Sequence, residues 1–309
     1  MAKVITPEIV KALFVGFAKN FKDGLAKAPS QYTKIATVVK SSTASNTYAW
    51  LGQMPKLTEW IGKRAITAIQ SHGYSIVNKS YANGVEILRT DVEDDNEGVY
   101  SPLIEELGRS AGEQPDELVF GALKAGFTTA CYDGQYFFDT DHPVGANVDG
   151  TSPTSVSNIT DDGTGVTEEN AWYLLDTSRA LKPIIFQERQ PPKPAQITDA
   201  NAEKVFMEDV YTYGVDSRCN VGYGFWQMAH AVKGKLTADN LWKAIEAMRT
   251  VRGDGDKRLA IKPTVLVVPP SLEKVATQLL ERELTSENGA TVSNELKNIK
   301  LELIIGDYL

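Results

Sequence analysis

The sequence predicts a folded chain that mixes α-helices and β-strands in several segments, and three observations support this α/β prediction. Near the start, apolar residues recur every four positions, as on one face of a helix: Ile9, Leu13, Phe17 and Phe21. Short apolar runs at 171–175 and 264–268 are typical of buried strands. Helix and strand patterns then alternate between residues 237 and 305, which indicates a compact α/β unit.

The first helix is expected to begin at Thr6-Pro7-Glu8, which supplies an N-cap, a proline at the first helical position and an acid in the first turn. Gly24 and Pro29 are expected to end it, and a short strand follows at 35–39. Residues 47–81 interleave aromatic and basic side chains with glycine and proline. This pattern predicts a long hairpin with a turn-rich tip, whose exposed aromatic residues need a partner to cover them.

The middle of the chain predicts further helices and strands in order. A short helix is expected at 102–109, and a stronger one opens with Pro115 and two acids and runs to about residue 130. A long loop covers 133–165, and Pro191, Pro192 and Pro194 indicate a rigid connector. Strands are expected at 87–89, 171–175, 183–187 and 210–224. In the C-terminal unit, Thr237 and Ser271 cap helices that alternate with strands at 264–268 and 300–305.

Length and composition exclude several classes of protein. The 309 residues suggest two domains, and 42% apolar with 23% charged residues is typical of a folded chain. Two cysteines are too few for a disulfide-rich secreted scaffold. No run approaches the length of a membrane span, and the apolar patch at 12–18 indicates part of an amphipathic helix rather than a signal peptide.

Charge is unevenly distributed along the chain. Residues 1–80 hold 11 basic and 3 acidic residues, a net charge of +8. Because the whole chain has a net charge of −8, the remaining residues carry a net charge of −16. The densest acidic run lies at 91–97. Such asymmetry fits either a basic arm that lies on the acidic body of a neighbouring copy or a simple segregation of surface charge.

A search for catalytic and ligand-binding patterns finds two weak candidates. Residues 108–112 match the G-x-S-x-G elbow of hydrolases around Ser110, but a helical, acidic segment precedes them. The loop Asp139-Thr140-Asp141-His142 offers metal ligands, although loop acids more often bond local backbone. Calcium, phosphate, dinucleotide and zinc motifs do not match. We therefore predict no catalytic, cofactor-binding or metal-binding residue, and a hydrolase or metal-binding enzyme using Ser110 or the Asp139–His142 loop stays as the alternative.

A series of short blocks occurs in order along the chain. The blocks are Ala28-Pro29-Ser30-Gln31-Tyr32, Trp50-Leu51-Gly52, Glu59-Trp60-Ile61-Gly62-Lys63-Arg64, His72-Gly73-Tyr74-Ser75-Ile76, Asn78-Lys79, Glu93-Asp94-Asp95-Asn96, Gln114-Pro115-Asp116-Glu117-Leu118, Cys131-Tyr132-Asp133-Gly134-Gln135, Phe137-Phe138-Asp139, His142-Pro143-Val144 and Gly222-Tyr223-Gly224-Phe225-Trp226-Gln227-Met228. Together they closely resemble the major head subunits of bacteriophage Mu and Mu-like prophages, from about Thr6 to Leu309.

This resemblance implies the α+β fold of tailed-phage major capsid proteins, the Hong Kong 97-like fold. By the resemblance, residues 1–46 are the N-terminal arm and 47–81 the extended hairpin called the E-loop. Residues 82–234 are then the peripheral domain, with a spine helix near 115–130, and 235–309 the axial domain. In many tailed-phage capsid proteins the axial strand is followed by a segment like the one at 171–175. This chain therefore resembles a circular permutation that places Ala171 near Leu309, and the alternative is that 171–175 is an ordinary strand with a chance match.

The resemblance also implies the function. Such proteins assemble into hexamers and pentamers of an icosahedral head that encloses double-stranded DNA, inside the bacterial cytoplasm, and remain in the virion. The implied partners are further copies of the chain, packaged DNA at the lumen, and portal, scaffolding or protease proteins, with cement proteins left open. The implied protein is not an enzyme and needs no cofactor. A nucleic-acid-binding protein using the basic arm is a third class, disfavoured by the acidic total charge.

Two sets of residues are expected at contacts between copies. The E-loop and the acidic run form one set: Trp50, Lys56, Trp60, Lys63, Arg64, Glu93, Asp94, Asp95 and Glu97. The apolar face of the first helix forms the other: Ile9, Leu13, Phe17 and Phe21. Because residues 24–29 are interpreted as a linker, we expect this face to pack on another subunit or on the inner shell surface, with its lysines toward the lumen and DNA.

Overall fold

A computed structural model describes residues 7–48, 51, 73–93, 97–147, 151–199, 201–287 and 290–309. The α-helices are α1 (Pro7–Lys27), α2 (Tyr32–Ile35), α3 (Arg89–Glu93), α4 (Glu97–Lys124), α5 (Glu203–Glu208), α6 (Ala238–Thr250) and α7 (Glu273–Glu281). The first seven strands are β1 (Ala36–Lys40), β2 (Ser45–Thr47), β3 (Ser75–Val77), β4 (Lys79–Leu88), β5 (His142–Gly145), β6 (Pro153–Val156) and β7 (Ile159–Asp161). The others are β8 (Trp172–Leu175), β9 (Ile184–Ile197), β10 (Val210–Tyr223), β11 (Ala229–Lys233), β12 (Arg252–Gly253), β13 (Lys257–Arg258), β14 (Val265–Val268), β15 (Leu284–Glu287), β16 (Ala290–Ser293) and β17 (Glu302–Ile305).

The first sheet has the strand order β1-β9-β10-β4 and carries two helices on one face. Strands β9 and β10 are 14 residues each and pair antiparallel, while β1 pairs in parallel with the start of β9. Helices α1 and α4 pack against each other and share an apolar cluster with this sheet, made of Phe17, Phe21, Ile87, Ile104, Val205, Tyr211, Tyr213 and Val215. The alternating burial of β10 follows from its period of two.

The second sheet has the order β17-β14-β8-β11-β7 and is packed by α6 and α7. All four residues of β8 and of β14 are buried, as expected for strands covered on both faces. The sheet joins strands from residues 159–233 to strands from residues 265–305, so strands from both sides of the expected boundary at residue 234 share one sheet. The boundary expected at residue 81 likewise falls inside β4, which pairs with β10 from Lys79 onwards.

The strongest local patterns are confirmed. Helix α6 is capped by the Thr237 hydroxyl, which accepts a hydrogen bond from the backbone N–H of Asn240 at 3.2 Å. Strands β1, β8, β10, β14 and β17 lie where the apolar runs predicted them. Ser271 is not the cap of α7, however. It lies in a short 3-10 turn before the helix, whose N-cap position is Leu272.

One long helix replaces the two helices expected between residues 102 and 130. Helix α4 has 28 residues and contains both Pro102 and Pro115. A proline inside a helix removes one backbone hydrogen bond and costs roughly 3 kcal/mol, so the sequence favoured a break. Packing of α4 against α1 and both long strands offsets this cost, and the helix ends at Lys124 rather than near residue 130.

The proline-rich segment is part of a strand and not a connector. Pro191, Pro192 and Pro194 lie within β9, whose pairing with β10 shifts register beside Asp216 and Arg218. Such bulges accommodate prolines because the extra residue makes no ladder hydrogen bond. The expected loop at 133–165 also contains order, since β5 pairs with β6 and β7 joins the second sheet.

The chain end follows β17, the edge strand of the second sheet, and β8 lies two strands further in. Ile305 is opposite Val268 in β14, and Tyr173 is opposite the residue before Val268. Because β14 separates β17 from β8, these strands are about 10 Å apart. Leu309 is four residues further along, so it lies within roughly 30 Å of Ala171 at about 3.5 Å per residue. The circular permutation stays a prediction that this arrangement does not refute.

Candidate functional site

The base of the segment 47–81, which the resemblance identifies as the E-loop, is a two-stranded ribbon. Strands β2 and β3 pair antiparallel from Ser45 opposite Val77 to Thr47 opposite Ser75, and Tyr48 donates its backbone N–H to the Tyr74 carbonyl at 2.8 Å. The expected contact residues Trp50, Lys56, Trp60, Lys63 and Arg64 lie outside the described residues. The contacts described below are those of the two ends of the segment, residues 47–48 and 73–81, together with Leu51.

A buried glutamine joins both ends of the E-loop to the first sheet. Gln187 of β9 is fully buried, and its Oε1 accepts a hydrogen bond from the Tyr48 hydroxyl at 2.8 Å. Its Nε2 donates to the carbonyl of Ile76 at 3.0 Å and to Oδ1 of Asn78 at 2.8 Å. No sequence motif singles out this residue, and the available signal is a lone amide at the end of the apolar run 183–187.

The network continues from Asn78 into the turn before β2. Its Nδ2 donates to the Ser41 hydroxyl at 3.0 Å and to the Thr43 carbonyl at 2.9 Å. Tyr48, Leu51 and Ile76 are also buried in the main apolar core. Burial raises the pKa of Tyr48, and it outweighs a side-chain hydrogen bond involving Asn46 that acts to lower this pKa. The described ends of the E-loop are thus packed against their own subunit.

The first helix packs on its own chain. Phe17 and Phe21 are 5% and 2% exposed and lie in the cluster formed with α4 and the first sheet. The expectation that this face packs on another subunit is therefore wrong for these two residues. The side chains of Ile9 and Leu13 lie outside the described residues. The expectation failed because it treated residues 24–29 as a linker, whereas α1 continues to Lys27.

Glycines allow α1 and α4 to approach closely. A Cβ added at Gly24 would lie 1.9 Å from the Glu105 carbonyl oxygen, and one at Gly108 would lie 2.1 Å from the Phe21 carbonyl oxygen. A Cβ at Gly112 would lie 2.5 Å from the Cβ of Ala28. Only glycine fits at backbone separations this short.

The same glycines explain the G-x-S-x-G match. Ser110 lies on an exposed position inside α4, flanked by Gly108 and Gly112, and not on a sharp turn between a strand and a helix. A nucleophile elbow requires that turn to expose its serine. The spacing of four between the two glycines instead places both on the face of α4 that meets α1. The hydrolase alternative at Ser110 is therefore wrong.

A buried carboxylate fixes the chain where α1 leads into α2. Asp116 of α4 is 6% exposed and accepts backbone hydrogen bonds from Gln31 and Tyr32 at 2.7–3.0 Å. Burial raises the pKa of Asp116 above its ordinary value, against the lowering effect of these bonds. The contact holds the segment that follows α1 on α4, and no local sequence pattern indicated it.

The Asp139–His142 loop does not form the ligand group that the alternative enzyme interpretation requires. Asp139 accepts hydrogen bonds from the local backbone N–H groups of Thr140 and Tyr136. His142 is fully buried, and its Nδ1 lies 2.8 Å from Oδ2 of Asp133 instead. The sequence suggested neighbours along the loop, whereas folding pairs His142 with an acid nine residues earlier.

Cys131, Asp133 and His142 form a buried polar group whose ligand atoms lie within 4.8 Å of one another. The Cys131 thiol donates to Oδ1 of Asp133 at 3.0 Å, and the His142 ring stacks on Trp226 at 4.0 Å. Burial acts to raise the pKa of Asp133, but the hydrogen bonds from His142 and Cys131 outweigh it and the pKa lies below its usual value. Burial, with the charge of Asp133, raises the pKa of the Cys131 thiol.

These pKa directions decide what the group can do. A cysteine is nucleophilic as its thiolate, which forms when a neighbouring base accepts the thiol proton. Here the carboxylate of Asp133 contacts both the thiol and the imidazole, and it favours the protonated thiol. These hydrogen bonds therefore hold the segment from Cys131 to His142, where β5 begins, in one conformation, and they do not activate a nucleophile. The enzyme alternative based on this loop finds no support in its geometry.

The acidic run lies where the first sheet ends. β4 ends at Leu88, and α3 and the start of α4 follow directly. Glu93 closes α3 and Glu97 opens α4, while Asp94 and Asp95 lie outside the described residues. Among the helices described here, none combines the length and apolar character needed to cross a bilayer.

Comparisons with known proteins agree with the resemblance seen in the sequence. Residues 10–309 match the family described as Mu-like prophage major head subunit gpT. The chain is 82% identical over 305 residues to the Mu-like prophage FluMu major head subunit of Haemophilus influenzae, covering 99% of both chains. It is 54% identical over 309 residues to the major capsid protein of Escherichia phage Mu, covering 99% of this chain and 100% of that one.

Solved structures show the same similarity. The subunit in the procapsid of bacteriophage JBD30 has a TM-score of 0.84 and 50% identity, over 99% of this chain and 100% of that one. The subunit in the JBD30 capsid has a TM-score of 0.77 and 34% identity, over 99% of each chain. The α+β capsid fold is therefore confirmed, and the relatives are structural proteins of the virion rather than enzymes. The chain belongs to the Mu-like prophage major head subunit family and is a major capsid protein of a Mu-like phage head.

Proposed function

We propose that the chain assembles as hexamers and pentamers of an icosahedral head around double-stranded DNA, and that the E-loop joins neighbouring copies. The observation that carries this proposal is the fixed base of the E-loop. Gln187 holds Tyr48 at one end of the segment, and Ile76 and Asn78 at the other, through three buried hydrogen bonds. A loop whose ends are held in one direction loses less freedom when it binds a neighbour.

Charge supports the choice of surface on the neighbour. The middle of the E-loop carries Lys56, Lys63 and Arg64, and the run at 91–97 is acidic. One exposed ion pair contributes only about 0–1 kcal/mol. Repeated around a shell, such pairs set register and exclude wrong partners more than they add affinity. The proposed regions are the arm at 1–46, the peripheral region at 82–234 and the axial region at 235–309. The last two contribute strands to one shared sheet.

Charge reversal tests this contact. Lys63→Glu with Arg64→Glu should reduce the yield of heads, measured by sedimentation and electron microscopy of the expressed protein. Adding Asp94→Lys with Asp95→Lys should restore the yield. The matched control is Lys262→Glu, an exposed lysine beside the second sheet. Normal heads from the first variant would contradict the E-loop proposal, and failure of the unaltered chain to form shells would contradict the assembly proposal itself.

We also propose partners beyond further copies of the chain. Packaged DNA would meet the lumen surface through non-specific contacts, and portal, scaffolding or protease proteins would take part in assembly. The JBD30 capsid is decorated with minor capsid protein trimers, which supports a cement protein here as well. A salt titration of DNA binding by assembled shells measures the lumen contact, since phosphate contacts give a steep dependence on salt.

A further inference from the structure

Large apolar side chains are exposed at one end of the first sheet. Phe206 and Met207 of α5 are 78% and 73% exposed. Leu88 and Ile197, which end β4 and β9, are 50% and 46% exposed, and β10 begins opposite both. Exposed apolar groups gathered in one place mark a contact surface more often than a solvated one.

An acid lies beside these side chains. Glu203 precedes Phe206 by three residues, so the two share a face of α5. Lys204 forms an ion pair with Glu86 of β4 instead. Glu203, Phe206 and Met207 therefore form an apolar surface with an acidic margin, which we name the α5 patch.

A complementary surface lies on α1. Val15 is 63% exposed, and Lys19 and Lys22 are exposed one and two turns further along. Their spacings of four and three place them in one stripe, which faces away from the buried Phe17 and Phe21. We name Val15, Lys19 and Lys22 the α1 stripe.

The two surfaces lie near each other on one molecule. Val205 of α5 is buried in the same cluster as Phe17 and Phe21 of α1. Helices α5 and α1 thus pack on one apolar cluster, and the α5 patch and the α1 stripe lie on their outward sides. When a contact joins two different surfaces of identical copies, successive copies form a ring if the rotation from one copy to the next divides a full turn evenly. Surfaces that lie at one end of each copy can meet around a single axis.

We infer that the α5 patch of one copy packs on the α1 stripe of a second copy, with Phe206 and Met207 against Val15 and Glu203 beside Lys19 and Lys22. This inference rests on the proposed shell assembly and names a contact other than the E-loop. It also assigns Lys19 and Lys22 to a neighbouring subunit rather than to DNA. The occupant is a second copy because charge and apolar character match between two surfaces of the same chain.

Labelling tests whether the patch is covered. In a Met207→Cys variant, the introduced thiol should react with a maleimide at least tenfold more slowly in heads than in unassembled subunits. The native thiols give little background because Cys131 and Cys219 are both buried. Equal rates in heads and subunits would overturn the inference while leaving shell assembly intact. Failure of the unaltered chain to form heads would count against assembly instead.

Charge exchange tests the identity of the occupant. Glu203→Lys should lower the yield of heads several-fold, and combining it with Lys19→Glu and Lys22→Glu should restore most of it. Far-UV and near-UV circular dichroism of the subunits should stay unchanged, because all three side chains are exposed. If the thiol of the Met207→Cys variant is protected in heads but the exchanged charges give no rescue, α1 is overturned as the occupant in favour of a decorating protein or another surface.

Discussion

The contact between α1 and α4 gives the sharpest test of the fold, because single glycines limit how closely the helices approach. In Gly108→Ala, the new methyl group would lie 2.1 Å from the Phe21 carbonyl oxygen, and in Gly24→Ala 1.9 Å from that of Glu105. Real Cβ atoms stay at least 3.0 Å from such atoms, so the helices must separate. A radial gap of about 0.5–1 Å forfeits about a quarter to a half of the dispersion energy across the contact.

The magnitude follows from two opposing effects. Overpacking a well-packed contact costs about 1–3 kcal/mol, while replacing glycine by alanine in a helix returns up to about 1 kcal/mol. We expect Gly108→Ala and Gly24→Ala each to lower the free energy of unfolding by about 2 kcal/mol. Gly16 of α1 and Gly121 of α4 are matched controls, since a Cβ at either meets nothing within 4 Å. Alanine at either control should raise stability by about 0.5–1 kcal/mol.

The assay is guanidinium unfolding of unassembled subunits, followed by far-UV circular dichroism. The midpoint should fall for the two contact variants and rise for the two controls. The double variant Gly24→Ala with Gly108→Ala should cost less than the sum of the single variants, because the first separation already makes room for the second methyl group. A Gly108→Ala subunit as stable as Gly121→Ala would refute the close approach of the two helices.

Three further outcomes are expected. Gln187→Leu removes three buried hydrogen bonds and should lower the free energy of unfolding by roughly 2–4 kcal/mol, measured by the same unfolding assay; an unchanged midpoint would contradict the network. Burial lowers the pKa of His230 to about 4, so the native state favours the neutral ring. Stability from this residue is complete above the unfolded pKa near 6.5 and should fall by about 3 kcal/mol as pH drops to 4; His230→Gln should flatten that part of the profile. Burial raises the pKa of Cys219 to about 11 and also raises that of Cys131, so neither thiol should react with a disulfide reagent at mildly alkaline pH until the subunit is denatured; rapid labelling of the native subunit would contradict this.

Elements with strong local patterns could be predicted from the sequence. The four-residue repeat indicated α1, the capped amphipathic pattern indicated α6, and the continuous apolar run indicated β14. Each of these depends on side chains a few residues apart, so one sequence window contains the whole signal. The ordered blocks, which run nearly the full length of the chain, similarly sufficed to indicate the family.

Other features were set by contacts between residues far apart in the chain. Nothing local distinguishes the glycines at 108–112 of a hydrolase turn from those of a helix crossing, because the deciding partner is Phe21 on α1. Gln187 became the anchor of the E-loop only when β9 met residues more than 100 positions earlier. His142 pairs with Asp133, nine residues earlier, rather than with its nearer neighbour Asp139, and the path of the folded loop decides between the two acids.

The sequence by itself therefore determined the family, the capsid function and the helices and strands whose periodicity is local. The tertiary structure decided the length of α4, the strand that contains Pro191–Pro194, and the sheet that joins both halves of the chain. The physical reason is that a local pattern fixes only backbone conformation. The cost of an interior proline, a buried amide or a glycine at a crossing is decided by the element that packs against it.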